Sequence, residues 1–241
     1  MTTKQETTFN FCDGKGPVPA HRHSNGGGWV ANTAFVAESV YVGPNARVFG
    51  KAWVYDNARV FGYARVYGNA WVFEYARVSG NARVFENARV YGNARVYEDA
   101  WVYGKARVYG KARVFENAWV YGNARVSGVA LVYGEMKISK PFKIPKIKNI
   151  DQKILNAIRS EGCSLNMGEW HSCRTTHCRA GWAIHLSGKK GYDLENLVGP
   201  EEAGRLIYEK SRPKGAKTPN FRCSVRAAMN SLKRDVLRYS V

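Results

Sequence analysis

The densest group of reactive side chains lies between residues 163 and 178. Cys163, His171, Cys173, His177 and Cys178 supply thiols and imidazoles, which are ligands that zinc prefers. Four such groups complete a tetrahedral zinc site, although His177 and Cys178 are adjacent and the stretch lacks a C-x2-C spacing. These five residues are the candidate ligands of a zinc site.

Two other interpretations of this cluster stay open. A cysteine beside a histidine is the minimal pair for nucleophilic catalysis, but the stretch matches no known signature of that kind. Alternatively, small thiols and capping groups hold a tight helical turn. Thr175 or Thr176 is predicted to cap a helix that begins near His177. The helix dipole would then lower the pKa of the Cys178 thiol.

The stretch from residue 150 to 241 is predicted to form a small, mainly helical domain. Asp151 is a candidate N-cap for a helix that runs to about Ser160. Short helices are expected over residues 193–198 and from Pro200, which precedes two acidic residues as a helix start often does. A last helix is expected from about Ser224 to Arg238.

The last helix is predicted to be amphipathic. The apolar residues that share roughly one face are Val225, Met229, Leu232 and Leu237. The basic residues Arg226, Lys233, Arg234 and Arg238 lie off that face. They are candidate contacts for a polyanion such as a phosphate backbone, although no helix-turn-helix or similar signature is present.

A six-residue repeat occupies residues 29–139. Valine stands at every sixth position from Val30 to Val132, and Ile138 closes the series. An alanine usually precedes each valine by two residues, as in the unit Ala88-Arg89-Val90-Tyr91-Gly92-Asn93. A period of six cannot keep the valines on one side of an α-helix. Arg-Val-Tyr suits a short strand and Gly-Asn suits a turn, so the repeat predicts a parallel β-solenoid.

Each coil of this solenoid is expected to hold three units, because three strands and three corners close a triangle. Trp53 and Trp71 are eighteen residues apart, as are Trp101 and Trp119. Arg59, Arg77, Arg95 and Arg113 form a series at the same spacing. The prediction is a mainly β protein with about six three-sided coils. Residues 1–28 would form an irregular cap, and residues 140–149 a basic, proline-containing linker.

The repeat units resemble the hexapeptide repeat of the left-handed β-helix superfamily, which is best known from acyltransferases. Valine and alanine match the aliphatic first and small fifth positions of that pattern, and the units also resemble bacterial proteins built from N-A-R-V-Y-G repeats. This resemblance implies a left-handed parallel β-helix, a homotrimer and an acyltransferase site with a histidine base. A second resemblance, to a small helical module of bacterial and phage proteins, rests on Trp170-His-x-Cys-x-Thr-Thr-His-Cys-Arg-Ala-Gly-Trp182 and implies no activity.

Two departures from the hexapeptide family weigh against catalysis in the solenoid. The sequence has no histidine between His23 and His171, and no loop interrupts the units to build an acyl-acceptor pocket. The chain is therefore predicted to be a non-enzymatic scaffold or binding protein that presents its helical module in several copies, with avidity from a trimer. The alternatives are a hexapeptide-type acyltransferase and a nucleic-acid- or nucleotide-binding protein with a Cys/His metal site.

Aromatic and basic side chains are predicted to cover the outside of the prism. Ladders of like residues would stabilise stacked strands, while cation–π contacts and nearby carboxylates such as Glu98 and Glu116 relieve the repulsion between arginines. Alternatively, sister chains cover the aromatic area, or it stacks against a sugar or a base. The candidate polyanion contacts on the prism are Arg59, Arg77, Arg95 and Arg113.

The chain is strongly basic, with a formal net charge of +18. Residues 28–139 contain 14 Lys/Arg and 8 Asp/Glu, whereas residues 140–241 contain 20 and 9, so the second part is the more basic. Such an excess favours nucleic acid, nucleotides, acidic glycans or anionic lipid as partners. Alternatively, the excess positive charge only keeps an aromatic-rich solenoid soluble.

The sequence gives no sign of a membrane or secreted protein. It lacks a run of eighteen apolar residues, and residues 1–16 lack the apolar segment of a secretory signal. Its five cysteines are too few and too scattered for a disulfide scaffold. A cytoplasmic location is expected, or a virion-associated one if a phage encodes the chain.

Overall fold

The computed structural model describes residues 7–160, 162–168, 171–173 and 176–239, and for residues 171–173 it describes the backbone alone. The chain folds as two compact units that divide between Phe142 and Lys143. The first unit is a parallel β-solenoid of about six coils and the second is a small helical region. The predicted fold class is confirmed.

Three sheets form the three faces of the solenoid. Face 1 contains β1 (Thr8–Asn10), β2 (Pro17–Arg22), β3 (Trp29–Ala31), β6 (Arg47–Val48), β9 (Arg65–Val66), β12 (Arg83–Val84), β15 (Trp101–Val102), β18 (Trp119–Val120) and β21 (Lys137–Ile138). Face 2 contains β4 (Phe35–Val36), β7 (Trp53–Val54), β10 (Trp71–Val72), β13 (Arg89–Val90), β16 (Arg107–Val108) and β19 (Arg125–Val126). Face 3 contains β5 (Tyr41–Val42), β8 (Arg59–Val60), β11 (Arg77–Val78), β14 (Arg95–Val96), β17 (Arg113–Val114) and β20 (Leu131–Val132).

Strands eighteen residues apart pair in parallel, so equivalent residues of successive coils lie directly above one another. Val78, for example, is the register partner of Val60 in the coil below and of Val96 in the coil above. The valines and alanines of the repeat fill the interior and, apart from the half-buried Ala34 and Val36, are almost completely buried. Removal of each valine side chain from water contributes roughly 1.5–3 kcal/mol before the cost of ordering the chain.

Most valines are followed by an aromatic residue, and most of these rings stack on the equivalent ring of the next coil. Phe49 and Tyr67 have ring centroids 4.8 Å apart with planes 3° from parallel, and Tyr67 and Phe85 repeat this geometry at 4.9 Å. Similar stacks follow face 2 and part of face 3. Because each ring inside a ladder has a neighbour against both faces, only ring edges point outward.

From Gly50 onward, the turns between faces have a left-handed backbone at one position of each unit. Glycine occupies most of these positions, but Asp56, Glu74, Glu86, Glu98 and Glu116 also have φ between 55° and 58°. Three of the acidic side chains compensate for this conformation. A carboxylate oxygen accepts a hydrogen bond from the backbone N–H of the turn one coil above, in the pairs Asp56–Glu74 (3.1 Å), Glu98–Glu116 (2.9 Å) and Glu116–Gly134 (2.8 Å).

The N-terminal cap is more regular than predicted. The described part contains the antiparallel strands β1 and β2, and β2 continues face 1 by pairing with β3. Phe11 is buried and stacks on Phe49 at 4.9 Å, so the cap extends the aromatic ladder. His23 is buried, and its Nε2 lies 2.9 Å from the Val40 carbonyl oxygen. This histidine therefore shields the first coil.

The helical unit contains five helices in its described part: α1 (Ile150–Arg159), α2 (Arg179–Leu186), α3 (Lys189–Val198), α4 (Pro200–Ser211) and α5 (Val225–Tyr239). A small sheet of β22 (Ser164–Leu165), β23 (His171–Cys173) and β24 (Thr176–His177) precedes α2. Helices α2 and α4 pack closely at Gly204, where an added Cβ would lie 2.4 Å from the Ala180 Cβ. Among the described residues, no helix combines the length and apolar character needed to span a bilayer.

Several local predictions for this unit are wrong. Asp151 lies inside α1, whose N-cap is Asn149, because its carboxylate is drawn into the core by arginines distant in sequence. Leu237 is 88% exposed and Val225 is 45% exposed, although both were expected to pack. The residues of α5 that are buried are Ala228 and Leu232. The proline start and acidic first turn of α4 are confirmed.

Candidate functional sites

Face 3 carries the arginine column that the eighteen-residue spacing indicates. The structure places Arg59, Arg77, Arg95 and Arg113 in register on consecutive strands, and all four are exposed. Within the described part of the chain, none of them lies in an ion pair with a carboxylate. The expected pairing with Glu98 and Glu116 does not occur, because those carboxylates accept hydrogen bonds from backbone N–H groups instead.

The arginines of face 1 are less exposed than those of face 3, whereas on face 2 Arg89 and Arg125 are exposed and Arg107 is half-buried. Arg47, Arg65 and Arg83 on face 1 are half-buried. Burial, and then the charges of Arg47 and Arg83, lower the pKa of Arg65 below its ordinary value. Arg83 lies over the ring of Trp101 at 4.9 Å, and on face 2 Arg89 lies over Trp71 at the same distance. On face 3, Arg59 lies over the ring of Tyr41 at 5.1 Å, so all three arginine columns include a cation–π contact, as predicted in general terms.

The tryptophans offer little surface for a stacking ligand. Trp101 stacks on Trp119 at 5.3 Å, while Arg83 covers its other face and Lys137 covers the far face of Trp119 at 4.7 Å. A sugar or a base would need an open ring face. This geometry weighs against recognition by stacking on face 1.

The Cys/His cluster has a different local structure from the predicted one. Helix α2 begins at Arg179, and Cys178 is its N-cap, with its Sγ accepting a hydrogen bond from the Gly181 N–H at 3.2 Å. Thr176 belongs to β24, and Thr175 lies outside the described residues. Burial raises the pKa of the Cys178 thiol, and hydrogen bonds from backbone groups only partly oppose this shift. The expectation of a lowered thiol pKa is therefore wrong.

The two histidines of the cluster lie near each other along the backbone. His171 in β23 is the register partner of His177 in β24. His177 is buried, stacks on His185 at 4.7 Å and meets the Trp182 ring edge-on. Cys163 is half-buried, and the side chains of His171 and Cys173 lie outside the described residues. In the part of the chain that is described, no three His, Cys, Asp or Glu side chains are grouped for a metal ion.

A buried ionic cluster joins four helices of the second unit, and sequence reasoning missed it. One oxygen of Asp151 on α1 lies 2.7 Å from guanidinium nitrogens of both Arg179 and Arg212. Asp235 on α5 meets the same two arginines at 2.7 and 2.8 Å. Arg179 also donates to the Tyr208 hydroxyl on α4 at 3.0 Å. The sequence feature that could have indicated this cluster is Arg179, a charged residue directly before the apolar segment Ala180 to Ile184.

The pKa shifts in this cluster follow from burial and pairing. Burial alone would lower the pKa of Arg179, but Tyr208, Asp235 and Asp151 raise it above its ordinary value. Burial would raise the pKa of Asp235, but hydrogen bonds from Arg179 and Arg212 hold it below its ordinary value. The cluster is therefore a set of permanent charges that hold the helices together.

The candidate basic residues of α5 point away from the packed side of the helix. Arg226, Lys233 and Arg234 are exposed, as predicted. Leu237 shares this side of the helix with Arg226 and Lys233, so an apolar side chain adjoins the basic stripe.

Comparison with protein families gives matches within the solenoid. Residues 52–68, 76–90, 88–104 and 106–122 match the model of the YdcK beta solenoid repeat. These segments cover about a quarter of the chain, and together with the fold they show a β-solenoid repeat protein. Comparison with curated proteins gives no match.

Proposed function

We propose that this β-solenoid repeat protein is a non-enzymatic binding protein whose face 3 holds a linear polyanion along its arginine ladder. The observation that carries the proposal is the column of four exposed guanidinium groups in register, without carboxylate partners in the described part of the chain. Unpaired guanidinium groups are the side chains best suited to bind phosphate or carboxylate oxygens.

The spacing of the column favours a chain-like ligand. Stacked strands are about 4.8 Å apart, so the four arginines span about 14 Å in single file. A compact anion would contact one or two of them. A polymer with a charge on each repeat would contact all four, and its binding would release counterions and depend steeply on salt.

The ladder can be tested with two probes, a single-stranded 20-mer oligothymidylate and inorganic polyphosphate. The informative variant is Arg77→Gln/Arg95→Gln, which removes the two central charges. We expect it to weaken binding about tenfold or more and to reduce the salt dependence of the binding constant. Fluorescence anisotropy of the labelled oligonucleotide, with polyphosphate as competitor, measures both effects.

The matched control is Lys51→Gln/Lys105→Gln, which removes the same charge from exposed turn positions between faces 1 and 2. It should retain binding within about twofold, because exposed charges away from the ligand contribute little. Equal losses in the two variants would mean that net charge alone attracts the probe, and the ladder proposal would then fail.

Self-association of the solenoid is a second candidate, favoured by face 2. The coils are numbered here from Trp29 in steps of eighteen residues, so that coil 1 contains residues 29–46. In coils 1–3 face 2 exposes Phe35 (47%) and Trp53 (46%) beside the half-buried Trp71. In coils 4–6 the same positions are Arg89, Arg107 and Arg125.

The turn column between faces 3 and 1 has the complementary order. Its residues in coils 1–3 are the uncharged Asn45, Tyr63 and Asn81. In coils 4–6 the same position holds Asp99, Asn117 and Glu135, and the residue before Asn117 in this turn is Glu116. Parallel neighbours at equal height would bring apolar against uncharged residues and arginine against carboxylate, and a trimer is the state that the hexapeptide resemblance implies.

Self-association is tested by light-scattering mass measurement of the purified chain. We expect an oligomer that Arg125→Glu weakens, because this variant places a carboxylate opposite Glu135. The double variant Arg125→Glu/Glu135→Arg should restore the oligomer. A monomeric wild-type protein at micromolar concentration contradicts this candidate and leaves the ladder proposal intact.

A further inference from the structure

A cavity of about 290 Å³ lies in the helical unit, where the segment before α1 meets the ends of α4 and α5. Its cationic lining residues are Lys146, Lys148, Arg212 and Arg238. Pro213 and Tyr239 contribute apolar or aromatic surface. The wall is fixed in part by a hydrogen bond from the Ile147 N–H to the Ser211 hydroxyl at 2.9 Å.

The charges around the cavity do not cancel. Asp151 lines it too, but both of its carboxylate oxygens accept hydrogen bonds from Arg212, at 2.9 and 2.7 Å, and Arg179 adds another at 2.7 Å. Lys146, Lys148 and Arg238 are exposed at the rim and lie in no ion pair within the described part of the chain. Among the described lining residues, three cationic side chains therefore lie in no ion pair, and the carboxylate of Asp151 is already paired with Arg212 and Arg179.

We infer that this cavity binds a small phosphate monoester. Two lysines and an arginine line it, and their nitrogens donate hydrogen bonds of the kind that phosphate oxygens accept. Its volume is close to the lower limit of about 300 Å³ for small-molecule sites, which suits a mononucleotide-sized ligand rather than a large cofactor. The phosphate lies against the rim cations, and the remainder of the ligand contacts Pro213 and Tyr239.

This site is independent of the arginine ladder. All its lining residues belong to the unit from Lys143 to Val241, whereas the ladder belongs to the solenoid. A variant that weakens one kind of binding should therefore leave the other unchanged.

Isothermal titration calorimetry of the full chain with AMP, inorganic phosphate and adenosine tests the inference. We expect AMP and phosphate to bind with saturation and adenosine to bind far more weakly. The variants Lys146→Gln/Lys148→Gln and Arg238→Gln should each weaken AMP binding about tenfold or more, because each removes charged donors to the phosphate. These side chains are exposed, so the substitutions leave the packed core unchanged.

The matched control Lys190→Gln/Lys233→Gln removes two exposed charges of the same unit that do not line the cavity. It should bind AMP within about twofold of the wild type, as should the ladder variant Arg77→Gln/Arg95→Gln. The inference is overturned if AMP and phosphate do not bind at millimolar concentration, if adenosine binds as tightly as AMP, or if the control loses as much affinity as the rim variants.

Discussion

At the scale of single residues, Asp151 shows where sequence patterns stop being informative. Its position before an apolar helix predicts an N-cap, yet its carboxylate accepts hydrogen bonds from Arg179 and Arg212, which are 28 and 61 residues away. Local patterns predict partners three or four residues apart. They contain no information about a pair that only the packing of distant helices brings together.

Replacement of Asp151 by asparagine should strongly destabilise the helical unit. Asp151→Asn leaves Arg179 and Arg212 buried with only Asp235 to neutralise them, and breaking one partner of a buried pair costs about 3–5 kcal/mol. Urea unfolding measures this loss. The control Asp193→Asn, which removes an exposed pair with Lys189, should change the free energy of unfolding by less than about 0.5 kcal/mol.

Cys178 allows its capping role to be separated from metal binding. Serine is a preferred N-cap, so Cys178→Ser should keep the hydrogen bond to Gly181 and nearly all the stability, whereas Cys178→Ala should lose about 1 kcal/mol. Zinc analysis of the same proteins gives the second measurement. A zinc ion that is present in the wild type and lost in Cys178→Ser would assign the thiol to the metal.

At the scale of elements, the solenoid is the part that the sequence predicts best. The six-residue period determines the strand positions and the eighteen-residue period determines the arginine column, because each unit repeats one local conformation. The strands of the cap were not predicted. Pairing of β2 with β3 is antiparallel and occurs once, so no period in residues 1–28 indicates it.

The turns provide a test that separates backbone strain from steric contact. Gly80 and Gly128 have the same φ of +66°, but a Cβ on Gly80 would lie 2.6 Å from the Glu98 nitrogen and a Cβ on Gly128 would meet no atom within 4 Å. Gly128→Ala should cost about 1–2 kcal/mol for its left-handed backbone.

Gly80→Ala should cost about 1–3 kcal/mol more than Gly128→Ala, because the coil above must move. Denaturant unfolding of both variants provides the comparison. Equal losses would show that the stack adjusts to the added methyl group without cost and that the backbone conformation alone selects glycine.

At the scale of the whole molecule, the solenoid should tolerate removal of complete coils. Deletion of residues 65–82 joins Ala64 to Arg83, which restores the Ala-Arg-Val order and keeps all remaining columns in register. We expect a folded, shorter solenoid, because repeat stability is close to a sum over neighbouring coils.

Deletion of residues 65–73 removes half a coil and is the informative contrast. It shifts the following valines by an odd number of positions, so they would point outward, and we expect loss of the folded state. Circular dichroism and size-exclusion chromatography distinguish the two results. A folded nine-residue deletion would mean that the inward valines do not determine the register.

The exact superposition of equivalent residues makes the solenoid a molecular ruler. Tandem duplication of an eighteen-residue segment would lengthen a surface column by one side chain, a step of about 4.8 Å, without disturbing the others. The reach of such a protein along an extended partner would thus change in whole steps during evolution. Its affinity would follow the number of steps rather than the redesign of any single contact.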